Sequence, residues 1–135
     1  MVPLFSTGAK ALQLNPDLPL AHLNLGLALV QEGQSEAAVK ELQTALQLNP
    51  SLADAHVALG GLFAARNDTR LAIEEFRRGV QLAPMSPIAH LDLGLALAHI
   101  GQPAAAAEEL QTALRIDPSF LPARQALNAL RGRQQ

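Results

Sequence analysis

The chain alternates between two kinds of apolar stretch. Residues 19–31, PLAHLNLGLALVQ, are apolar at almost every step, whereas residues 35–48, SEAAVKELQTALQL, set apolar positions among charged and amide ones. Both spacings are helical, and the pair recurs at 53–65 with 69–82 and at 87–99 with 103–116. Gly33 and Gly101 separate the members of the outer pairs, and Asn67 separates the middle one; these are the residues best able to take the left-handed conformation that ends a helix. Asp68-Thr69 is a good N-cap pair, and Pro103 suits a first helical turn. Asn49-Pro50 ends a unit, because the residue before a proline is pushed out of the helical region. The pattern predicts a series of helical hairpins.

The hairpins keep a fixed interval. Pro16, Pro50, Pro84 and Pro118 stand 34 residues apart, as do His22, His56 and His90. The pairs Leu25-Gly26, Leu59-Gly60 and Leu93-Gly94 keep the same step, followed by Ala38, Ala72 and Ala106, then Leu42, Phe76 and Leu110. Periods of this length mark stacked repeat architectures. Gly and Ala at 26/38, 60/72 and 94/106 are the small residues that two closely crossing helices need. Residues 19–52 and 87–120 agree at 21 of 34 positions, but 19–52 and 53–86 at only 9, so duplication of a two-unit block explains the resemblance of first to third.

Composition narrows the class. Apolar residues make up 49% of the 135, yet aromatics only 3%, so the core volume falls to Ala and Leu, strong helix formers, and an all-α chain is expected. With no Cys, disulfides, thiolate metal sites and thiol catalysis are excluded. Twelve acids against 10 bases leave a net charge of −2, which gives nucleic acid and anionic lipid no electrostatic handle. No apolar run reaches the length of a membrane span, and the opening MVPLFSTGAK lacks a secretory signal's basic and apolar regions. These letters leave the compartment open and favour the cytoplasm only in holding no signal or membrane span.

The marks resemble the tetratricopeptide repeat, whose pattern is W-x2-L-G-x2-Y, then A-x3-F, then P. The three matches begin at His22-x2-Leu25-Gly26-x2-Leu29, His56-x2-Leu59-Gly60-x2-Phe63 and His90-x2-Leu93-Gly94-x2-Leu97. They continue as Ala38-x3-Leu42, Ala72-x3-Phe76 and Ala106-x3-Leu110, and end at Pro50, Pro84 and Pro118. His replaces Trp, and Leu replaces two of the three Tyr. The resemblance implies a right-handed α-solenoid: one domain with units at 19–52, 53–86 and 87–120, a half unit at 1–18, and a capping helix with tail at 121–135. In that last segment Ala123, Leu127 and Leu130 are apolar, whereas Arg124, Gln125, Asn128 and Arg131 back them with polar groups, as a terminal repeat requires. The start has no such cap, so a longer array or homo-oligomer contact at that end is expected.

The first helices of the units carry only two charges, Asp54 and Asp92, and the second helices eleven. Charge marks the solvated side, so the second helices should form the outer wall. In the first unit Ala21, Leu25, Ala28 and Leu29 close the hairpin, and Leu20, Leu23, Leu27 and Val30 form a second stripe. That stripe continues through Val57, Gly61 and Ala64 to Ile88, Leu91, Leu95 and Ala98. Eight half-exposed aliphatic side chains amount to roughly 400–800 Å² of bare surface, at or above what soluble monomers leave uncovered. At ~25 cal/mol/Å² the gross gain on covering it is ~10–20 kcal/mol, much of it offset by association entropy.

The resemblance implies a concave face that grips peptides, so the expected function is an interaction scaffold for an apolar or amphipathic segment or helix. Chaperone-binding members of the family hold a C-terminal carboxylate with Lys, Arg and Asn; this stripe has no Lys or Arg and two acids beside it, which argues against that ligand. Asn24 resembles the backbone-clamping asparagines of O-GlcNAc transferase-like repeats, with Asp92 at an equivalent place but Ala58 interrupting the ladder. His99, seven residues after Asp92, is a candidate polar contact on the same face.

Other candidates carry less. Neighbouring helices lie about 8–10 Å apart, too far for His22, His56 and His90 to reach one zinc ion, so a structural role is expected. Arg66, Arg70, Arg77 and Arg78 cluster around Glu74, which reads as helix-surface pairing. Ser51 and Ser86 fall at turns with no carboxylate to orient a base, so no catalytic site and no cofactor are expected. Two competing roles are a substrate-presenting or regulatory arm of a larger enzyme and a self-assembling module.

Overall fold

The computed structural model describes residues 18–133, leaving most of the expected half unit and the last two residues outside the described range. Within it lie α1 (Pro19–Gln31), α2 (Ser35–Leu48), α3 (Ala53–Ala65), α4 (Thr69–Leu82), α5 (Pro87–His99), α6 (Pro103–Ile116) and α7 (Leu121–Arg133). No strand occurs among the described residues, and none of their helices is long and apolar enough to cross a membrane.

The hairpin turns share one construction. Gly33, Asn67 and Gly101 have φ of 77°, 65° and 79°. Each lets the next backbone N–H reach back over the helix end: Gln34 donates to the Leu29 carbonyl, Asp68 to Phe63 and Gln102 to Leu97, at 2.9–3.0 Å. A second bond, from Gly33 to Val30, Asn67 to Ala64 and Gly101 to Ala98, completes a Schellman closure. Asp68 occupies the N-cap position of α4, but its side chain makes no capping bond, contrary to expectation. Ser86 does cap: its Oγ accepts from the Ala89 N–H at 3.2 Å. At the far ends Asn49 and Asp117 are extended, as the prolines that follow them require.

Each hairpin closes on a glycine set against one bulky residue. A Cβ placed on Gly26 would stand 2.8 Å from Leu42, on Gly60 2.5 Å from Phe76, and on Gly94 3.0 Å from Leu110. The missing side chain is what lets the helices cross closely, and Leu42 and Leu110 are fully buried as a result. Above this contact lies a polar one. Nδ1–H of His22, His56 and His90 donates to Oε2 of Glu41, Glu75 and Glu109, each at 2.7 Å. Nε2 of His56 meets the Pro50 carbonyl at 3.1 Å, and that of His90 meets Pro84 at 2.7 Å. The histidine thus ties each of these hairpins to its own second helix and to the proline ending the previous unit. Arg124, 34 positions beyond His90, donates to the Pro118 carbonyl at 2.9 Å, although α7 has no following helix among the described residues to supply a carboxylate.

Stacking sets the curvature. Besides chain neighbours, the backbones of α1 and α3, of α3 and α5, and of α5 and α7 come within 8 Å, whereas those of α2, α4 and α6 stay farther apart. The odd helices therefore form a tight inner wall and the even helices a splayed outer one. The outer arginines do not pair as expected: among the described residues, the ion pairs within 4.0 Å are the three His–Glu contacts. Ala55, Leu59 and Leu62 pack onto the first hairpin, and Ala123, Leu127 and Leu130 of α7 close the core at the other end.

Candidate functional site

The inner wall is hollowed where α1, α3 and α5 come side by side. One cavity of about 630 Å³ lies between Leu27 and Val30 of α1 and Asp54, Val57 and Gly61 of α3, and reaches Asp92 of α5. A second, of about 310 Å³, lies between Gly61 and Ala64 of α3 and Asp92, Leu95 and His99 of α5. Gly61 and Asp92 border both, so the two are lobes of one groove.

Gly61 is the sill between the lobes. It is exposed, and a Cβ built on it meets nothing within 4 Å, in contrast to Gly60 beside it. A glycine inside a helix costs roughly 0.5–1 kcal/mol relative to Ala, and here no neighbour demands it. Its effect is to keep the groove open.

Asp92 is the groove's central polar group. It is half-buried, and no hydrogen bond or ion pair engages its carboxylate among the described residues. No side-chain oxygen or nitrogen there is both buried and unpartnered, so the Asp92 oxygens open onto the groove rather than into the core. Burial pushes its carboxyl up to about 6 from an ordinary 3.8, because desolvation disfavours the charged form.

Of the residues expected on this face, Leu27, Val30, Val57, Gly61, Ala64, Asp92, Leu95 and His99 border the groove. Leu23 does not: it is 6% exposed, sealed in the core between the first and second hairpins. Its counterparts Val57 and Leu91 are half-buried and packed against the core, Val57 reaching over Gly79, where a Cβ would come within 2.6 Å of it. The lower end of the expected stripe rolls into the helix crossing. Ala98 is half-buried in the same way, and Leu20, Asn24 and Ile88 are exposed at positions outside both lobes. Conversely, Asn67 and Thr69, at the second hairpin's turn, border the smaller lobe together with the Phe76 ring. The turn signal at Asn67 is visible in the letters, but its approach to the groove depends on the packing of α5.

Two family models match the chain, one described as TPR repeat over residues 26–67 and one as tetratricopeptide repeat over residues 57–119. No curated protein matches it in sequence. Several solved structures share its fold. A crystal structure of MamA superposes with a TM-score of 0.87 at 23% identity, covering 96% of this chain and 76% of that one. YrrB, described as a TPR protein with an unusual peptide-binding site, gives a TM-score of 0.87 at 21% identity, with 93% and 65% covered. TTC0263, a thermophilic TPR protein of Thermus thermophilus, gives 0.78 at 20%, with 93% and 70% covered.

Proposed function

The chain belongs to the tetratricopeptide repeat family, and from that premise we propose that it is a scaffold whose inner groove receives an apolar or amphipathic peptide segment. Proteins with this fold generally serve as protein–protein interaction scaffolds, typically without catalysis. The observation that carries the finer reading is the two-lobed groove: an open sill at Gly61, aliphatic walls from Val30 and Leu95, and a polar group at its centre. Val30 is 38% exposed and Leu95 47%, so apolar area is available where a segment would lie. In this reading the three units act together, since the groove draws on helices from all three hairpins, and α7 packs against the third.

The test uses short random peptides displayed against the protein. Selection on the wild type should enrich sequences with aliphatic residues at spaced positions. Leu95→Lys and Gly61→Leu alter exposed positions, the second one where a Cβ meets nothing within 4 Å, so both should retain wild-type circular dichroism. Each should weaken the selected peptides at least about tenfold, a loss that desolvating one charge or blocking one lobe readily produces. If both folded variants bind the selected peptides as the wild type does, the site is elsewhere. Leu23→Glu would be uninformative, because that residue is part of the core.

A further inference from the structure

The occupant's charge can be read from the groove's own. Every ionisable group bordering the two lobes is an acid or a histidine: Asp54 from α3, and Asp92 and His99 from α5. The remaining polar neighbours are uncharged, Ser35 from α2 and Asn67 and Thr69 from the second hairpin. No Lys or Arg borders either lobe, and Arg66, Arg70, Arg77 and Arg78 are exposed elsewhere. Asp92 is half-buried without being given an internal partner, although histidine–glutamate pairs are built into every hairpin of the same solenoid. A desolvated carboxylate that opens onto an apolar trough is complementary to a cation whose stem is itself apolar.

We propose that the groove recognises a segment of a partner protein bearing a lone Lys or Arg between aliphatic residues, with the cation seated on Asp92 and its methylene stem laid across Gly61. This deepens the scaffold reading and rests on it. The sill matters to the geometry: Gly61 and Asp92 both border the two lobes, and with no side chain at Gly61 a long aliphatic stem can pass from one lobe to the other. Asp54, exposed on the border of the larger lobe, adds a second negative charge that orients an approaching basic segment. A C-terminal carboxylate, an acidic segment or a second copy presenting an acidic face would meet two like charges there.

The same display experiment separates the two claims. Peptides selected on the wild type should carry Lys or Arg at one position flanked by aliphatic residues, and replacing that residue by norleucine should weaken binding about tenfold or more. Asp92→Asn should cause a similar loss for the basic peptide but none for the norleucine one, because the two changes remove the same contact. Lowering the pH from about 7.5 to about 5 should weaken the basic peptide, since Asp92 takes up a proton in that range. The pH effect should persist in His99→Gln and disappear in Asp92→Asn. Aliphatic peptides without a basic preference, still lost in Leu95→Lys, would overturn the cation and leave the groove. Basic peptides indifferent to Asp92→Asn would do the same. Binding untouched by Leu95→Lys and Gly61→Leu, or no enrichment at all, would remove both.

Discussion

Glu109 and Asp92 belong to the same hairpin and meet opposite circumstances. Glu109 lies in the seam between α5 and α6, bonded to His90, whose other nitrogen meets the Pro84 carbonyl. Asp92, on the groove side of α5, has no such partner among the described residues and carries a carboxyl raised to about 6 by burial. The seam pairs its histidine and its glutamate, and it is repeated in each hairpin. The groove leaves an acid open to an apolar trough, and the arrangement is not repeated along the stack. Polar groups that serve folding are paired within the chain, and an acid left unpaired at a desolvated site is the place to test for a ligand.

Breaking the seam should produce the largest effects. Leu110→Ala removes a side chain that is 1% exposed and seated against Gly94, and should lower stability by about 2–5 kcal/mol, read from urea unfolding. His90→Ala deletes both bonds and strands the Glu109 carboxylate in a partly closed crossing. A loss of about 2 kcal/mol is expected, since an orphaned polar group costs more than the bond itself gains. A loss no greater than that of an exposed substitution such as Asn24→Ala would show that the His–Glu contact does not hold the hairpin.

The groove should respond with the opposite sign and a smaller size. Asp92→Asn should stabilise the protein near pH 7. Taken at face value, a rise from 3.8 to about 6 is worth about 3 kcal/mol; for a side chain still open to the trough, screening reduces this to on the order of 1 kcal/mol. The folded state holds the Asp92 proton to higher pH than the unfolded state does. The charged carboxylate therefore penalises folding above about pH 6, and that penalty fades as pH falls towards 4. The advantage of Asp92→Asn over wild type should accordingly be present at neutral pH and absent in acid, in paired unfolding curves. An Asn that destabilises at pH 7 would mean the carboxylate has an internal role, and the contrast with Glu109 would collapse.

Much of this architecture is legible in the letters. The helix limits follow from Gly33, Asn67 and Gly101, since few residues tolerate positive φ, and from the prolines, which no helix interior accepts. The inner and outer walls follow from the distribution of charge. The groove is legible only in outline. Leu27, Val30, Gly61 and Leu95 border it, but a stripe at helical spacing does not say how far the helix rolls about its axis, so Leu23, expected at the surface, lies in the core. The N-cap expected of Asp68 fails for a similar reason, because composition names a competent residue but not its rotamer.

By itself, then, the sequence determined what is local or periodic: hairpins closed by left-handed turns, a glycine opposite each bulky residue, and an interval that obliges identical surfaces to stack. Tertiary structure decided what depends on distance between residues far apart in the chain. That histidine meets a glutamate 19 positions later in every hairpin, and that Arg124 takes over the histidine's place at the end of the described stack, emerges only when the helices cross. So does the isolation of Asp92. A residue's partners and its access to water are properties of the packed assembly, and no single stretch of chain contains them.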